Sequence, residues 1–261
     1  MTAASGASGR PGRTRSQPSP GSQPSPRSRP GRTSSGSGPG RDDSAAAMEA
    51  LYPFLYAGSG SSLDSVLAEV RQSTVAKAHE ISELRRQIAA RDSARLVSCA
   101  EQMASRFAAG GRLLSFGNGG SATDAQELTT LFLNPGAGER PLPAFCLDND
   151  IAVLTALSND IGVDVVFARQ IAAFGHQQDI AVGLSTSGNS DNLLRALDEA
   201  TRHGMLTVGI AGYDGGKMAE LDSLDYLFVA PSASVHRIQE AQTTIYHLLW
   251  ELTLMALPGG R

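Results

Sequence analysis

The second half of the chain alternates short apolar runs with amphipathic stretches. Five runs are apolar at nearly every position, and they occupy residues 113–116, 144–147, 180–184, 206–210 and 226–229. Strands of a parallel sheet are buried on both faces, which makes them continuously apolar, and helices connect them. The pattern therefore predicts a doubly wound α/β domain around a five-stranded parallel sheet.

Amphipathic helices are predicted on both sides of this region. Apolar residues at 63–70 and 81–88 lie at helical spacing, and residues 92–109 form a second predicted helix. Together they predict an N-terminal helical hairpin within residues 48–111. The apolar stripes of this hairpin need a partner, which is either the domain itself or another subunit. A last helix is predicted at residues 235–257.

The first 41 residues differ from the rest in composition. They contain seven prolines, eight glycines and ten serines, and no aliphatic residue larger than alanine beyond Met1, so they cannot form a core. We expect residues 1–47 to be a disordered tail and residues 48–261 to form one domain, with its α/β core at 112–261. A transit peptide is the alternative for an Arg- and Ser-rich tail, although the prolines and glycines disfavour an amphipathic helix.

Charge separates the same two regions. The first 41 residues hold seven arginines and no acid, so the total of −4 leaves −11 on residues 42–261. An acidic body disfavours nucleic acid, so none is expected on the folded domain, while the tail could touch polyanions weakly. No run approaches the roughly 20 apolar residues that span a bilayer, so we expect a cytoplasmic protein without a membrane segment. Cys99 and Cys146 are expected to be buried thiols.

A hydroxyl-rich loop follows the third predicted strand. Its residues are Ser185, Thr186, Ser187, Gly188, Asn189 and Ser190, and a predicted helix begins directly after them. Free amides and the dipole at a helix N-terminus favour an anion, and glycine lets the backbone approach it, so phosphate is the expected ligand. Serine, asparagine and glycine are also the ordinary residues of a helix cap and turn, which is the alternative interpretation.

A second glycine-rich loop, residues 117–121, follows the first predicted strand and also opens a helix. Ligands of open parallel sheets bind beyond the carboxyl ends of the strands, so two such loops favour a binding site over two ordinary caps. The chain lacks a Gly-Lys-Ser/Thr phosphate loop and the spacing of a dinucleotide fingerprint, which disfavours both of those nucleotide sites.

Polar residues elsewhere have two interpretations each. Asn159 and Asp160 precede a glycine and taken alone indicate a helix end and turn. Gln239, Thr243 and His247 lie four residues apart and form a polar stripe on the last predicted helix. A ligand is one partner for such a stripe, and a hydrogen-bonded core histidine is the alternative.

Taken together, these residues resemble the sugar isomerase (SIS) domain, and within it the phosphoheptose isomerase branch, which interconverts sedoheptulose 7-phosphate and a heptose 7-phosphate. The resemblance extends from residue 112 to the C-terminus, in the family's order and spacing, and its matching stretches are residues 117–126, 154–160, 166–170, 185–190, 212–220 and 237–240. It implies a flavodoxin-like three-layer sandwich, and a homotetramer with sites near subunit interfaces.

The resemblance also assigns roles to residues. It implies that the sugar is lined by Asn118, Gly119, Gly120, Asn159, Asp160 and Gln239, and that the phosphate is held by Ser185, Thr186, Ser187 and Ser190. The family moves a proton between C1 and C2 through an enediol with a glutamate and a histidine across the sugar, often with zinc nearby. The family's histidine falls on His247, and its metal-binding glutamine falls on Gln239.

This sequence departs from the family at the other catalytic position. The family's glutamate falls on Leu131, and the zinc-binding histidine one turn earlier falls on Glu127. Glu127 either reaches the site from its displaced position or serves only structure. Glu127, Gln239 and His247 remain as candidate metal ligands, and this set is weak for zinc because glutamine is a poor ligand, so no certain cofactor is predicted.

Two functions follow from this departure. The first is an aldose–ketose phosphosugar isomerase with His247 and Glu127 as the acid–base pair. The second is a non-catalytic SIS protein that binds a sugar phosphate, or acts as a scaffold, after the loss of the usual glutamate.

Overall fold

The computed structural model describes residues 63–258. The predicted tail at 1–47 and the first part of the predicted hairpin, 48–62, lie outside the described residues, and the domain boundaries stay a prediction. No helix among the described residues is long and apolar enough to cross a membrane.

Five parallel strands form one sheet in the order β2-β1-β3-β4-β5. The strands are β1 (Leu113–Gly117), β2 (Ala144–Cys146), β3 (Ile180–Leu184), β4 (Leu206–Gly212) and β5 (Tyr226–Ala230). Every residue of β1, β3 and β4 is buried, as the continuous apolar runs predicted. All five predicted strands are confirmed. Because β1 and β3 are neighbours whose helices leave in opposite directions, the topological switch point lies between them.

Within residues 63–258, six helices accompany the sheet. They are α1 (Leu63–Ala108), α2 (Gly120–Leu133), α3 (Ile151–Asp160), α4 (Val166–Phe174), α5 (Asp191–Arg202) and α6 (Val235–Ala256), with 3-10 turns at Val163–Val165 and Gly216–Glu220. Alternate strand residues supply two cores, since Leu113 and Val182 pack under α1, α2 and α6, whereas Leu114 and Ala181 pack under α4 and α5. This division confirms the three-layer architecture.

The predicted helical hairpin is wrong, because residues 63–108 form one helix of 46 residues. Residues 88–92 contain no glycine or proline to break it. The second helix was predicted to begin at Asp92, but Asp92 lies inside the long helix, where its buried carboxylate forms ion pairs with Arg91 at 2.6 Å and Arg95 at 3.5 Å. The helix packs against α6 from Leu84 onward, and its first part is exposed.

Helix α6 agrees with the prediction within one residue and packs between α1 and α2. Its apolar side, with Ile238, Ala241 and Ile245, is fully buried. The polar stripe therefore lies beside the core, on the side of α2. Cys99 and Cys146 are buried free thiols, as predicted, and burial raises the pKa of both.

Candidate active site

The two predicted loops lie side by side at the carboxyl ends of β1 and β3. Two hydrogen bonds join them: Asn118 Nδ2 donates to Asn192 Oδ1 at 3.0 Å, and Asn192 Nδ2 donates to Asn118 Oδ1 at 2.9 Å. This pair fixes the glycine-rich loop against the start of α5. Asn192 was not predicted, because it lies in the first turn of α5 and meets its partner only across the switch point.

The hydroxyl-rich loop is folded around its own side chains. Gly188 N donates to Ser185 Oγ at 3.0 Å, and Asn189 N donates to Ser187 Oγ at 3.2 Å. Gly188 has a φ of 68°, and a Cβ there would collide with the carbonyl oxygen of Gly215. Glycine is thus required by backbone conformation and by close approach. Ser185 is buried and supports the loop from inside.

Other donors of this loop remain available to a ligand. Ser190 is the N-cap of α5, yet its hydroxyl makes no capping hydrogen bond. Within residues 63–258, the amides of Thr186, Ser187 and Ser190 have no protein acceptor. Amides at the start of a twelve-residue helix carry the positive end of its dipole. The loop is chemically suited to an anion such as phosphate.

The turn after β4 supports the same loop from outside. Lys217 N donates to Asn189 Oδ1 at 2.9 Å, and Lys217 Nζ lies 3.0 Å from the carboxylate of Asp191 in the first turn of α5. The cation offsets a carboxylate that would otherwise repel an anion there. Lys217 lies within the stretch 212–220 that carried the resemblance, so a signal existed although no role was predicted.

Helix α6 also holds this loop. Gln242 is fully buried, and its Nε2 donates to the carbonyl oxygens of Ser185 at 2.9 Å and Ile210 at 3.1 Å. The polar stripe predicted from the sequence contains residues 239, 243 and 247, so Gln242 was missed. Gln242 and His247 are five residues apart, or about 7.5 Å of helix rise, which brings the stripe near the loop.

The glycine-rich loop is anchored by a buried carboxylate. Gly117 N donates to Asp148 Oδ2 at 3.0 Å, and the Cys146 thiol approaches the same oxygen at 3.3 Å. Burial raises the pKa of Asp148 to about 6, and the two hydrogen bonds reduce that rise. Gly119 has a φ of 57°, so the loop turns in the left-handed region before α2 begins.

Gln239 lies against the start of α2. A side chain at Gly120 would overlap Gln239 Nε2, and Gln239 is hydrogen-bonded to Asp124 one turn further along. Burial raises the pKa of Asp124, the bond from Gln239 lowers it, and the nearby charge of Glu127 raises it. The structure thus brings Gly120 and Gln239 together, and their role toward the sugar stays a prediction.

Glu127, Tyr246 and His247 form a cluster between α2 and α6. His247 Nε2 lies 3.3 Å from Glu127 Oε1, and the Tyr246 hydroxyl donates to Glu127 Oε2 at 2.6 Å. The imidazole stacks on the Tyr246 ring at 5.3 Å between centroids and meets the edge of Trp250 at 6.2 Å. The two predicted acid–base residues are therefore in contact. Tyr246 was missed, because its ring falls on the buried side of α6.

Leu131 lies in a different environment from Glu127. It is partly buried against the core formed by α1, α2 and α6, one helical turn beyond the cluster. A carboxylate at that position would face apolar side chains, whereas Glu127 finds a phenol and an imidazole. The polar cluster is centred on residue 127 in this chain.

Asn159 and Asp160 stand apart from these contacts. They end α3, both are exposed, and Asn159 Nδ2 donates to Asp160 Oδ1 at 2.9 Å. The 3-10 turn that follows is tied to α5 by Asp164 and Arg195, whose charged atoms are 3.0 Å apart. This ion pair places the end of α3 on the same side of the molecule as the start of α5, and the role of Asn159 and Asp160 toward the sugar stays a prediction.

Candidate metal ligands do not gather into one set. Within the described residues, no three His, Cys, Asp or Glu side chains lie close enough to hold a metal ion. Glu127 meets His247, while the amide of Gln239 is hydrogen-bonded to Asp124. One carboxylate, one imidazole and an engaged amide do not fit tight zinc binding, which uses three or four good ligands.

Comparisons with known proteins found a matching family model and similar sequences. The family model of the SIS domain matches residues 78–212. A phosphoheptose isomerase from Pelodictyon phaeoclathratiforme is 45% identical over 174 residues, which cover 66% of this chain and 82% of the relative. One from Desulfovibrio desulfuricans is 43% identical over 194 residues, covering 74% and 88%.

Solved structures show the same similarity. A phosphoheptose isomerase from Neisseria gonorrhoeae superposes with a TM-score of 0.63 at 34% identity, covering 70% of this chain and 97% of that one. A phosphoheptose isomerase from Francisella tularensis superposes with a TM-score of 0.61 at 32% identity, covering 69% and 97%.

Proposed function

The chain belongs to the SIS domain family, and on that premise we propose that it is an aldose–ketose isomerase of a phosphosugar, with sedoheptulose 7-phosphate as substrate. The observation that carries the proposal is the contact between His247 and Glu127 at 3.3 Å, beside a loop suited to phosphate. A carboxylate and an imidazole together supply the base and the acid that enediol chemistry needs.

Binding uses the two loops. The phosphate accepts hydrogen bonds from the amides and hydroxyls of Thr186, Ser187 and Ser190, and Ser185 keeps the loop in shape from inside. The sugar hydroxyls extend past Asn118, Gly119 and Gly120 toward Gln239, which lies on the way to His247 along α6. Gln242 links the two ends of the site, since it donates to Ser185 O from one turn before Tyr246.

Two side chains, Glu127 and His247, carry out all the proton transfers. Glu127 removes a proton from C1 of the ketose, while His247 as imidazolium donates a proton to the carbonyl oxygen on C2, and the enediol forms. Glu127 then returns its proton to C2, and His247 takes the proton from the oxygen on C1, which becomes the aldehyde. Because Glu127 and His247 touch each other, the reacting carbons lie beside the pair. No step passes through a metal, since the donor set does not fit zinc.

Hydrogen exchange in heavy water tests the proposal. With sedoheptulose 7-phosphate, we expect deuterium at C1 of the ketose and at C2 of the heptose product, detected by NMR. His247→Ala is the control, and it should abolish both signals. Exchange no faster than in this control would contradict the isomerase and leave the binding function.

Thermal unfolding separates binding from turnover. A saturating sugar phosphate should raise the melting temperature by mass action, and Ser187→Ala should reduce that shift. A shift that is present without deuterium exchange would select the non-catalytic SIS function. No shift at any concentration would contradict the isomerase and the non-catalytic binding function, and it would leave only the scaffold.

We also propose that the protein is a homotetramer in the cytoplasm. Support comes from the first part of α1, where Val66, Leu67 and Val70 are neighbours on the helix surface and are 41–56% exposed. A row of exposed apolar side chains on one helix is stabilised when a partner subunit covers it. Analytical ultracentrifugation tests this, and Val70→Asp should dissociate the assembly.

A further inference from the structure

The ring and hydroxyl of Tyr246 are fully buried, and the hydroxyl contacts the proposed catalytic carboxylate. It donates to Glu127 Oε2 at 2.6 Å, and a second, longer contact of 3.4 Å joins it to Thr243 Oγ1. A phenol without exposed surface cannot touch the sugar. Its functional contact is therefore with Glu127, and any effect on the reaction passes through that side chain.

The two oxygens of Glu127 have different partners. Oε2 accepts from Tyr246, and Oε1 faces His247. Glu127 is otherwise about half exposed on α2, where a glutamate side chain has several rotamers of similar energy. One buried donor on Oε2 selects a single rotamer and leaves Oε1 directed at the imidazole. Burial and the bond to Glu127 raise the pKa of Tyr246, so the hydroxyl keeps its proton at neutral pH.

We propose that Tyr246 is a positioning residue that holds Oε2 of Glu127 and thereby aims Oε1 at His247 and the reacting carbon. This role rests on the isomerase function proposed above. The hydrogen bond from Tyr246 compensates for the change at Leu131. A carboxylate that stands one helical turn from the family's position needs a new hydrogen-bond donor to hold it in place as a base. Misplacement of a catalytic group by about 1 Å can cost a hundredfold in rate, so such a support has a measurable effect.

Tyr246→Phe keeps the ring and removes only the donor. We expect kcat to fall about 10- to 100-fold with KM within about twofold, because the loop that binds phosphate is unchanged. Tyr226→Phe is the matched control. The Tyr226 hydroxyl is also hydrogen-bonded, to Ser98 at 2.8 Å and Gln102 at 2.7 Å, but away from the site, so this variant should keep full kcat.

Variants of Glu127 complete the test. Position 127 lies on an exposed part of α2, so the Glu127→Asp variant should still fold. Its shorter side chain withdraws the carboxylate from Tyr246. It should lose kcat to a similar extent, and adding Tyr246→Phe should then cost less than twofold. Additive losses, full kcat in Tyr246→Phe, or full kcat in Glu127→Asp would each overturn the positioning role.

The activity of Glu127→Gln distinguishes a failure of the proposed isomerase function from a failure of the positioning role. Glu127→Gln should abolish isomerisation if Glu127 is the base. Activity retained by Glu127→Gln would overturn the base assignment itself. Inactive Glu127→Gln together with fully active Tyr246→Phe would overturn only the positioning role.

Discussion

The hydroxyl-rich loop and the Glu127–Tyr246–His247 cluster are built in opposite ways. The loop is contiguous, and its donors are mainly backbone amides oriented by β3 and the start of α5. The cluster joins side chains on two helices that are about 120 residues apart in sequence. Phosphate binding therefore depends mainly on backbone geometry, whereas the chemistry depends on a few side-chain atoms where α2 crosses α6.

The largest expected effect is at the helix crossing. Glu127→Gln should lower kcat by about a thousandfold or more, in the range of general acid–base catalysis, while the sugar phosphate still raises the melting temperature. Steady-state kinetics and thermal shift measured on the same sample check it. Loss of binding together with kcat would show that the two regions are not separable.

Gly188→Ala changes the backbone of the hydroxyl-rich loop. It should lower the free energy of unfolding by more than about 2 kcal/mol and abolish the ligand shift, since a Cβ there meets Gly215 in a left-handed backbone. Gly110→Ala is the matched control, because its φ of 86° carries the same backbone cost with open space around it. Urea denaturation measures the free energy of unfolding of both variants. Equal losses would contradict the role of the close contact between residue 188 and Gly215.

Asp148 makes the glycine-rich loop sensitive to pH. Its pKa is raised from the model-peptide value near 4 to about 6, so the folded state binds the proton more tightly than the unfolded state. This contribution to stability is present below pH 4 and is lost as pH rises to 6, by about 2 kcal/mol. Asp148→Asn should flatten that change in urea denaturation between pH 4 and 7. If the free energy of unfolding of Asp148→Asn depended on pH as it does in the unchanged protein, the role of Asp148 would be contradicted.

The smallest expected effect is at the border of the hydroxyl-rich loop. Lys217→Met should weaken binding of inorganic phosphate or sugar phosphate by about two- to fivefold at low salt and less at high salt, with kcat unchanged, because the Lys217–Asp191 pair is exposed. Isothermal titration at two ionic strengths measures it. A change in kcat would mean that the loop and the helix crossing are coupled.

Prediction from sequence succeeded where the signal is local. Strands β1 and β3 are buried runs, and both loops follow them directly, so residues 117–121 and 185–190 were found with their elements. The hairpin prediction failed because apolar spacing does not show whether two neighbouring helical segments join, and residues 63–108 form one continuous helix in which Asp92 pairs with Arg91 and Arg95. Gln242 and Asn192 were missed, since their partners lie across the sheet edge.

Local patterns in the sequence were enough to predict the layered α/β fold and the two loops suited to an anion, because apolar periodicity and turn chemistry act between near neighbours. The departure at Leu131 was implied by the resemblance to the SIS family. Which carboxylate reaches His247 could not be predicted in either way. That choice depends on how α2 crosses α6, which places Glu127 against a phenol and an imidazole and Leu131 against the core.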